Sequence, residues 1–94
     1  MHEASVMRGL MAKLESIARE QRATRVKKVG VWLGALSHFS AEHFREHFRD
    51  ASRGTVAENA TVEIEVSTDI VDPCAQDVIL KSIDVEVAGE TSPH

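Results

Sequence analysis

Residues 25–34 read RVKKVGVWLG, and this stretch decides which folds are open to the chain. Its apolar residues recur with a period of two, which predicts a β-strand. One face of this strand carries Val29, Val31 and Leu33. Strict alternation places Val26 and Trp32 on the opposite face. If helices cover the valine face, Trp32 is either shielded by neighbouring side chains or exposed as a surface for a partner.

Two helical patterns flank this strand. Before it, apolar residues recur at helical spacing and predict an amphipathic helix over 4–21. After it, Ser40 is suited to an N-cap and Gly54 to the C′ position, which predicts a second helix over 41–52. The apolar stripes consist of Met7, Leu10, Met11, Leu14, Ile17 and Ala18 in the first helix and Phe44, Phe48 and Ala51 in the second.

Two further strands follow the second helix. Residues 61–67 alternate apolar with acidic side chains and predict a half-buried strand, and residues 78–87 predict a third strand. The third strand keeps its alternation only if a β-bulge lies near Lys81 and Ser82. The residues expected on the core face of these strands are Val62, Ile64, Val66, Ile83 and Val85.

The element order α-β-α-β-β predicts an α+β, two-layer fold in which two helices pack on one face of a three-stranded mixed sheet. The first two strands are joined through the second helix, so their crossover should be right-handed if they are parallel. We expect the second and third strands to pair directly, with residues 68–77 as their connector. The other face of the sheet is expected to stay open.

Length and composition limit the class of protein. The chain has 94 residues, of which 43% are hydrophobic, and this suits a single domain over residues 1–94. No basic segment leads into an apolar run, and no stretch approaches the roughly 20 apolar residues of a membrane span, which predicts a cytoplasmic protein without a membrane contact. Cys74 is the single cysteine, and this excludes an internal disulfide or a zinc site of four cysteines.

The charge is unevenly distributed along the chain. Residues 1–30 carry a net charge of +4 and the remainder −8. No aromatic residues interleave with the bases, and the overall balance is acidic, so nucleic-acid binding is not expected. The basic residues between Arg19 and Lys28 are more typical of a solvated helix end than of a docking patch for an acidic partner.

The N-terminal sequence Met1-His2-Glu3 offers a compact set of nitrogen donors. The free α-amine of Met1, the backbone amide of His2 and the His2 Nδ1 can close two fused chelate rings around one metal. An all-nitrogen, near-planar donor set favours Ni(II) or Cu(II) over Zn(II). The tripeptide is therefore a candidate nickel site.

The sequence from His43 to His47 matches H-x-x-E-H, the inverted zinc-protease motif. A protease needs a further metal ligand on a larger scaffold and a substrate cleft, and too little chain follows His47 to supply them. No catalytic grouping is found elsewhere, so we do not expect an enzyme. A partly buried or solvated histidine pair is favoured, although histidines one helical turn apart can bind a metal or supply a ligand to a neighbouring site.

Taken together, the chain resembles the HypA/HybF family of nickel metallochaperones, which serve [NiFe]-hydrogenase and, in some bacteria, urease maturation. The resemblance runs in family order across nearly the whole chain. It rests on Met1-His2-Glu3 before an amphipathic helix and on the segments VGVWLGALS (29–37), EHFREHF (42–48), ATVEIE (60–65) and KSIDVE (81–86).

The resemblance implies a function and a set of partners. It implies that Met1 and His2 bind Ni(II), with Glu3 as a further ligand or an adjusting neighbour. It also implies delivery of nickel during hydrogenase maturation, with a HypB-type GTPase and the hydrogenase large subunit as partners. Whether the chain is a monomer or a homodimer is left open.

One departure from the family pattern is large. Family members usually carry a zinc domain with two C-x-x-C pairs between the second and last strands, whereas here residues 68–77 hold only Cys74. We therefore expect no zinc domain and no bound zinc. An alternative function follows, that of an adaptor in the same maturation pathway which keeps the fold and partner surface without carrying nickel.

Overall fold

Five elements follow one another in the order predicted from the sequence. The computed structural model describes residues 3–87, with side chains from residue 4 onward. The elements are α1 (Glu3–Glu20), β1 (Ala23–Leu33), α2 (Ala41–Ser52), β2 (Thr61–Val66) and β3 (Val78–Val87). Both helices pack against a three-stranded mixed sheet, so the predicted fold class is confirmed.

The strand order is β2-β1-β3, which places β1 at the centre of the sheet. β1 pairs in parallel with β2 and antiparallel with β3. The expectation that β2 and β3 pair directly is therefore wrong. The chain crosses over through α2 and places β2 along one edge of β1. Strand β3 pairs along the opposite edge of β1.

The connector between β2 and β3 makes this arrangement possible because it passes around the end of β1. The Ser67 backbone N–H donates to the Leu33 carbonyl at 2.9 Å. On the far side, the Gly34 N–H donates to the Asp77 carbonyl at 2.9 Å and the Leu36 N–H to the Ala75 carbonyl at 2.7 Å. These bonds carry the chain from one edge of the sheet to the other.

Three irregularities interrupt the pairing of β1 with β3. Gly30 pairs with Ser82 and Val31 with Leu80, which leaves Lys81 as the extra residue and confirms the predicted bulge. The other two irregularities were not predicted. The first leaves Thr24 as an extra residue near the start of β1, and the second lies between Val26 and Lys28, which pair with consecutive residues of β3.

This second bulge changes the face on which Val26 lies. Because Lys27 is the extra residue there, the alternation of β1 is interrupted, and Val26 is fully buried in the core beside Val29. The prediction that Val26 shares a face with Trp32 is therefore wrong. Trp32 itself is half-buried, with Glu65 of β2 and Ile79 of β3 opposite it in register.

The core lies between the sheet and the two helices. Its largest fully buried side chains are Phe44, Leu14, Leu33, Val26, Val29 and Val31. Four of the five strand residues predicted to face the core pack against it, but Val66, the last residue of β2, is 48% exposed. Val66 lies at the end of an edge strand, where the core no longer reaches it.

Local signals set the ends of α2 as predicted. The Ser40 hydroxyl accepts a hydrogen bond from the His43 backbone N–H, which makes Ser40 the N-cap. Gly54 follows the C-cap residue Arg53 with a φ of 80°, the left-handed conformation that glycine adopts without strain.

Ion pairs neutralise part of the basic cluster between residues 19 and 28. The Arg25 Nε lies 2.6 Å from Glu86 Oε1 across the β1–β3 pair, and Lys28 Nζ lies 3.3 Å from Glu63 Oε2. The hydrogen bond and charge of Arg25 lower the pKa of Glu86. Arg19 and Arg22 are exposed, as expected of a solvated helix end. Within residues 3–87, no helix is long and apolar enough to cross a membrane.

Candidate metal centre

Helix α1 begins at Glu3, directly after the first two predicted nickel donors in the sequence. Met1, His2 and the Glu3 side chain lie outside the part of the chain that is described. The candidate site at the tripeptide therefore stays a prediction from the sequence. The structure describes helix α1, which begins at the last residue of the tripeptide.

An open groove of about 770 Å³ runs beside the first turns of α1. Ser5 and Val6 line it on the helix side, and His38 and Phe39 of the β1–α2 loop line it on the opposite side. The start of β3 contributes Val78 and its neighbours. The beginning of α1 and the loop before α2 thus lie near each other.

The two histidines of the H-x-x-E-H sequence are close together on one side of α2. The His43 and His47 Nε2 atoms are 2.9 Å apart, and the ring centroids are separated by 4.5 Å. Both side chains are half-buried. This agrees with the favoured interpretation of a partly buried pair, and it also brings two metal-ligating nitrogens to one point.

Phe39 holds both imidazole rings in place. Its ring centroid lies 5.9 Å from that of His43 and 6.2 Å from that of His47, in tilted and edge-on geometries. Phe39 is itself buried and packs edge-on against Phe44 at 5.4 Å. The histidine pair is therefore supported by a ring anchored in the core.

No role for Phe39 was predicted, although the sequence contains a signal for it. Ser40 is the N-cap of α2, so Phe39 occupies N′ and Phe44 occupies N4. Apolar residues at these two positions form a hydrophobic staple, which fixes the angle at which the chain enters the helix. The staple here also places an aromatic ring beside His43 and His47.

Cys74 lies in the connector, where its surroundings do not favour a thiolate. Desolvation raises the pKa of the Cys74 thiol, and the hydrogen bond and charge of Asp77 and the charge of Asp72 raise it further. The thiolate is the form that binds metals and reacts as a nucleophile. Among the described side chains, no group of three or more histidine, cysteine, aspartate or glutamate residues is arranged to hold a metal ion.

Comparison with known proteins identifies the family. The profile described as "Hydrogenase/urease nickel incorporation, metallochaperone, hypA" matches residues 1–86. The chain belongs to the HypA family. This confirms the resemblance seen in the sequence, and membership in a metallochaperone family confirms the prediction that the chain is not an enzyme.

Individual HypA proteins are similar in sequence. The chain is 38% identical over 66 residues to hydrogenase maturation factor HypA of Methylocella silvestris, a match that covers 70% of this chain and 58% of that protein. It is 41% identical over 64 residues to HypA of Azotobacter chroococcum, covering 68% and 57%. The chain thus spans less than three fifths of the length of these HypA proteins.

A solved HypA structure shares the fold. The solution structure of the Ni metallochaperone HypA from Helicobacter pylori is similar with a TM-score of 0.75 and 19% sequence identity, over 93% of this chain and 99% of that one. A second HypA solution structure gives a TM-score of 0.71 over 90% and 96% of the two chains. The helices and the mixed sheet described above are therefore those of a HypA fold.

Proposed function

We propose that this protein binds Ni(II) at its N-terminus and delivers it during [NiFe]-hydrogenase maturation. The observation that carries the proposal is the match to a nickel-incorporation family over residues 1–86, a range that includes Met1-His2-Glu3. Nickel is the cargo of such a protein, so its binding must be reversible and its donors accessible.

The proposed ligands follow from the chemistry of the tripeptide. The Met1 α-amine, the His2 backbone amide and the His2 Nδ1 supply three nitrogens, and Glu3 serves as a further ligand or an adjusting neighbour. Such donors should bind Cu(II) more tightly than Ni(II), because divalent affinities follow the Irving–Williams order. Selectivity for nickel must then come from metal supply and from docking to partners.

The proposed partners are a HypB-type GTPase and the hydrogenase large subunit, in the cytoplasm. The relatives from Methylocella silvestris and Azotobacter chroococcum are both hydrogenase maturation factors. The residues between β2 and β3 number 11 and include the one cysteine of the chain, which supports the further proposal that this protein carries no zinc domain and no zinc. Metal analysis that finds one tightly held zinc per chain would contradict it.

A nickel titration of protein with a native, untagged N-terminus tests the proposed site. We expect near-stoichiometric binding in a planar, diamagnetic site with its characteristic absorption band, and weaker binding on mild acidification because the donors must lose protons. His2→Ala, or acetylation of the Met1 α-amine, should abolish the planar band, because each removes one of the donors. If both altered forms keep the band, the ligands lie elsewhere.

A matched control is available in the β1–α2 loop. His38 is exposed and has a φ of 70°, a conformation that asparagine tolerates better than most residues. His38→Asn therefore removes one imidazole without straining the backbone. This variant should retain the planar nickel band of the parent protein.

The alternative function, an adaptor that does not carry nickel, is favoured by the short connector between β2 and β3. It predicts that the untagged protein binds the GTPase without any planar nickel complex. Binding of the GTPase by both the parent and His2→Ala, together with no planar band in the parent, would support the adaptor and overturn the chaperone proposal.

A further inference from the structure

Helix α2 carries a second pair of metal-ligating nitrogens that does not depend on the N-terminus. We propose that His43 and His47 form a transition-metal site in which two imidazole Nε2 atoms bind Cu(II) or Ni(II) and water fills the remaining positions. This site is additional to the proposed nickel site at the tripeptide, and its existence does not require that site.

The distance between the two nitrogens is suited to binding one metal ion through both of them. Metal–imidazole bonds are about 2.0–2.1 Å long. Two such bonds at a right angle place their nitrogens about 2.9 Å apart, whereas a tetrahedral angle places them about 3.4 Å apart. The observed separation between His43 Nε2 and His47 Nε2 is 2.9 Å. The pair is therefore spaced for adjacent positions in a square-planar or octahedral complex, the geometries of Cu(II) and Ni(II).

The two histidines lie side by side as a hydrogen-bonded pair. The two Nε2 atoms form a hydrogen bond in which one ring donates and the other accepts, so they share a single proton between them. A metal ion that replaces this proton lies off the line between the two nitrogens, so each ring must rotate to direct its lone pair at the metal. Less side-chain freedom is lost than for two separate histidines, because Phe39 already holds the rings close together.

Neighbouring residues fix the two rings from different directions. Phe39 contacts both imidazoles and is buried in the core. The Ser40 hydroxyl binds the His43 backbone N–H and so fixes the first turn of α2. Glu42 lies in the same first turn, where its carboxylate offsets the positive end of the helix dipole that disfavours a bound cation.

The pair lies beside a residue that lines a groove next to α1. Phe39 contacts both histidines, and it lines this groove together with Ser5 and Val6 of α1. The histidine pair and the first turns of α1 are therefore linked through Phe39.

The decisive experiment uses protein whose Met1 α-amine is acetylated, here called blocked protein, because the N-terminal chelate cannot form without that amine donor. Cu(II) and Ni(II) are titrated separately at neutral pH and followed by calorimetry. We expect one equivalent of metal to bind to this blocked protein. His47→Gln and His43→Gln should each weaken its binding at least tenfold, and His38→Asn should leave it unchanged.

A second measurement guards against variants that fail to fold. Because only the folded helix holds the two nitrogens together, bound metal should raise the melting temperature of the blocked protein but not that of its His43→Gln, His47→Gln double variant. Far-UV circular dichroism checks that α2 is intact in both. No binding to blocked protein, or equal binding to the double variant, overturns the proposal.

The same variants separate this proposal from that of the N-terminal site. The double variant with a native N-terminus should keep the planar nickel band if the tripeptide binds nickel. Loss of that band on His2→Ala alone tests the tripeptide, and loss of metal from blocked protein on His47→Gln alone tests the α2 pair.

Discussion

At the scale of single residues, Gly34 shows how closely the connector approaches β1. A Cβ at this position would lie 2.2 Å from the Ala75 carbonyl oxygen and 2.7 Å from that of Cys74. Both are backbone atoms, so neither can move without shifting the connector. We expect Gly34→Ala to lower the free energy of unfolding by about 1–3 kcal/mol, the usual cost of overpacking, as measured by urea denaturation.

Gly9 provides the matched control for this substitution. It lies within α1, is exposed, and has no atom within 4 Å of the position that a Cβ would take. Gly9→Ala should therefore leave stability unchanged or raise it by up to about 1 kcal/mol, because alanine favours helix interiors. If Gly34→Ala is as stable as the Gly9→Ala variant, the connector is not packed against the end of β1.

At the scale of elements, α2 depends on the cap at its first turn. Ser40→Ala removes the acceptor of the His43 N–H and should cost about 1 kcal/mol of stability. Thermal melting followed at 222 nm measures the loss. Ser16→Ala, an exposed change within α1, should cause no loss. Equal stability of the Ser40 and Ser16 variants would show that the cap contributes nothing to α2.

At the scale of the whole molecule, the described core consists of apolar side chains from both helices and the sheet. None of the described side chains forms a group of three or more metal ligands. We therefore expect protein to which no metal has been added to melt at the same temperature with and without a strong chelator, because folding does not depend on a structural metal. A large loss of helical signal after chelation would show that a metal holds the fold together.

The sequence by itself determined those features that depend on neighbours along the chain. The extents of α2 and β3, the N-cap Ser40 and the glycine after α2 all follow from local periodicity and capping. The bulge at Lys81 also follows, because the alternation of β3 cannot be kept without it. Family membership was likewise visible in the sequence, since ordered motifs carry it.

Only the tertiary structure decided the features that depend on which surfaces meet. β3 pairs with β1 because β2 occupies the other edge of β1 and the connector reaches around its end. Val26 faces the core because pairing with β3 introduces a bulge that alternation alone does not show. A pattern along the chain specifies which side chains are apolar, but the free edge and the bulge exist only once the elements are packed together.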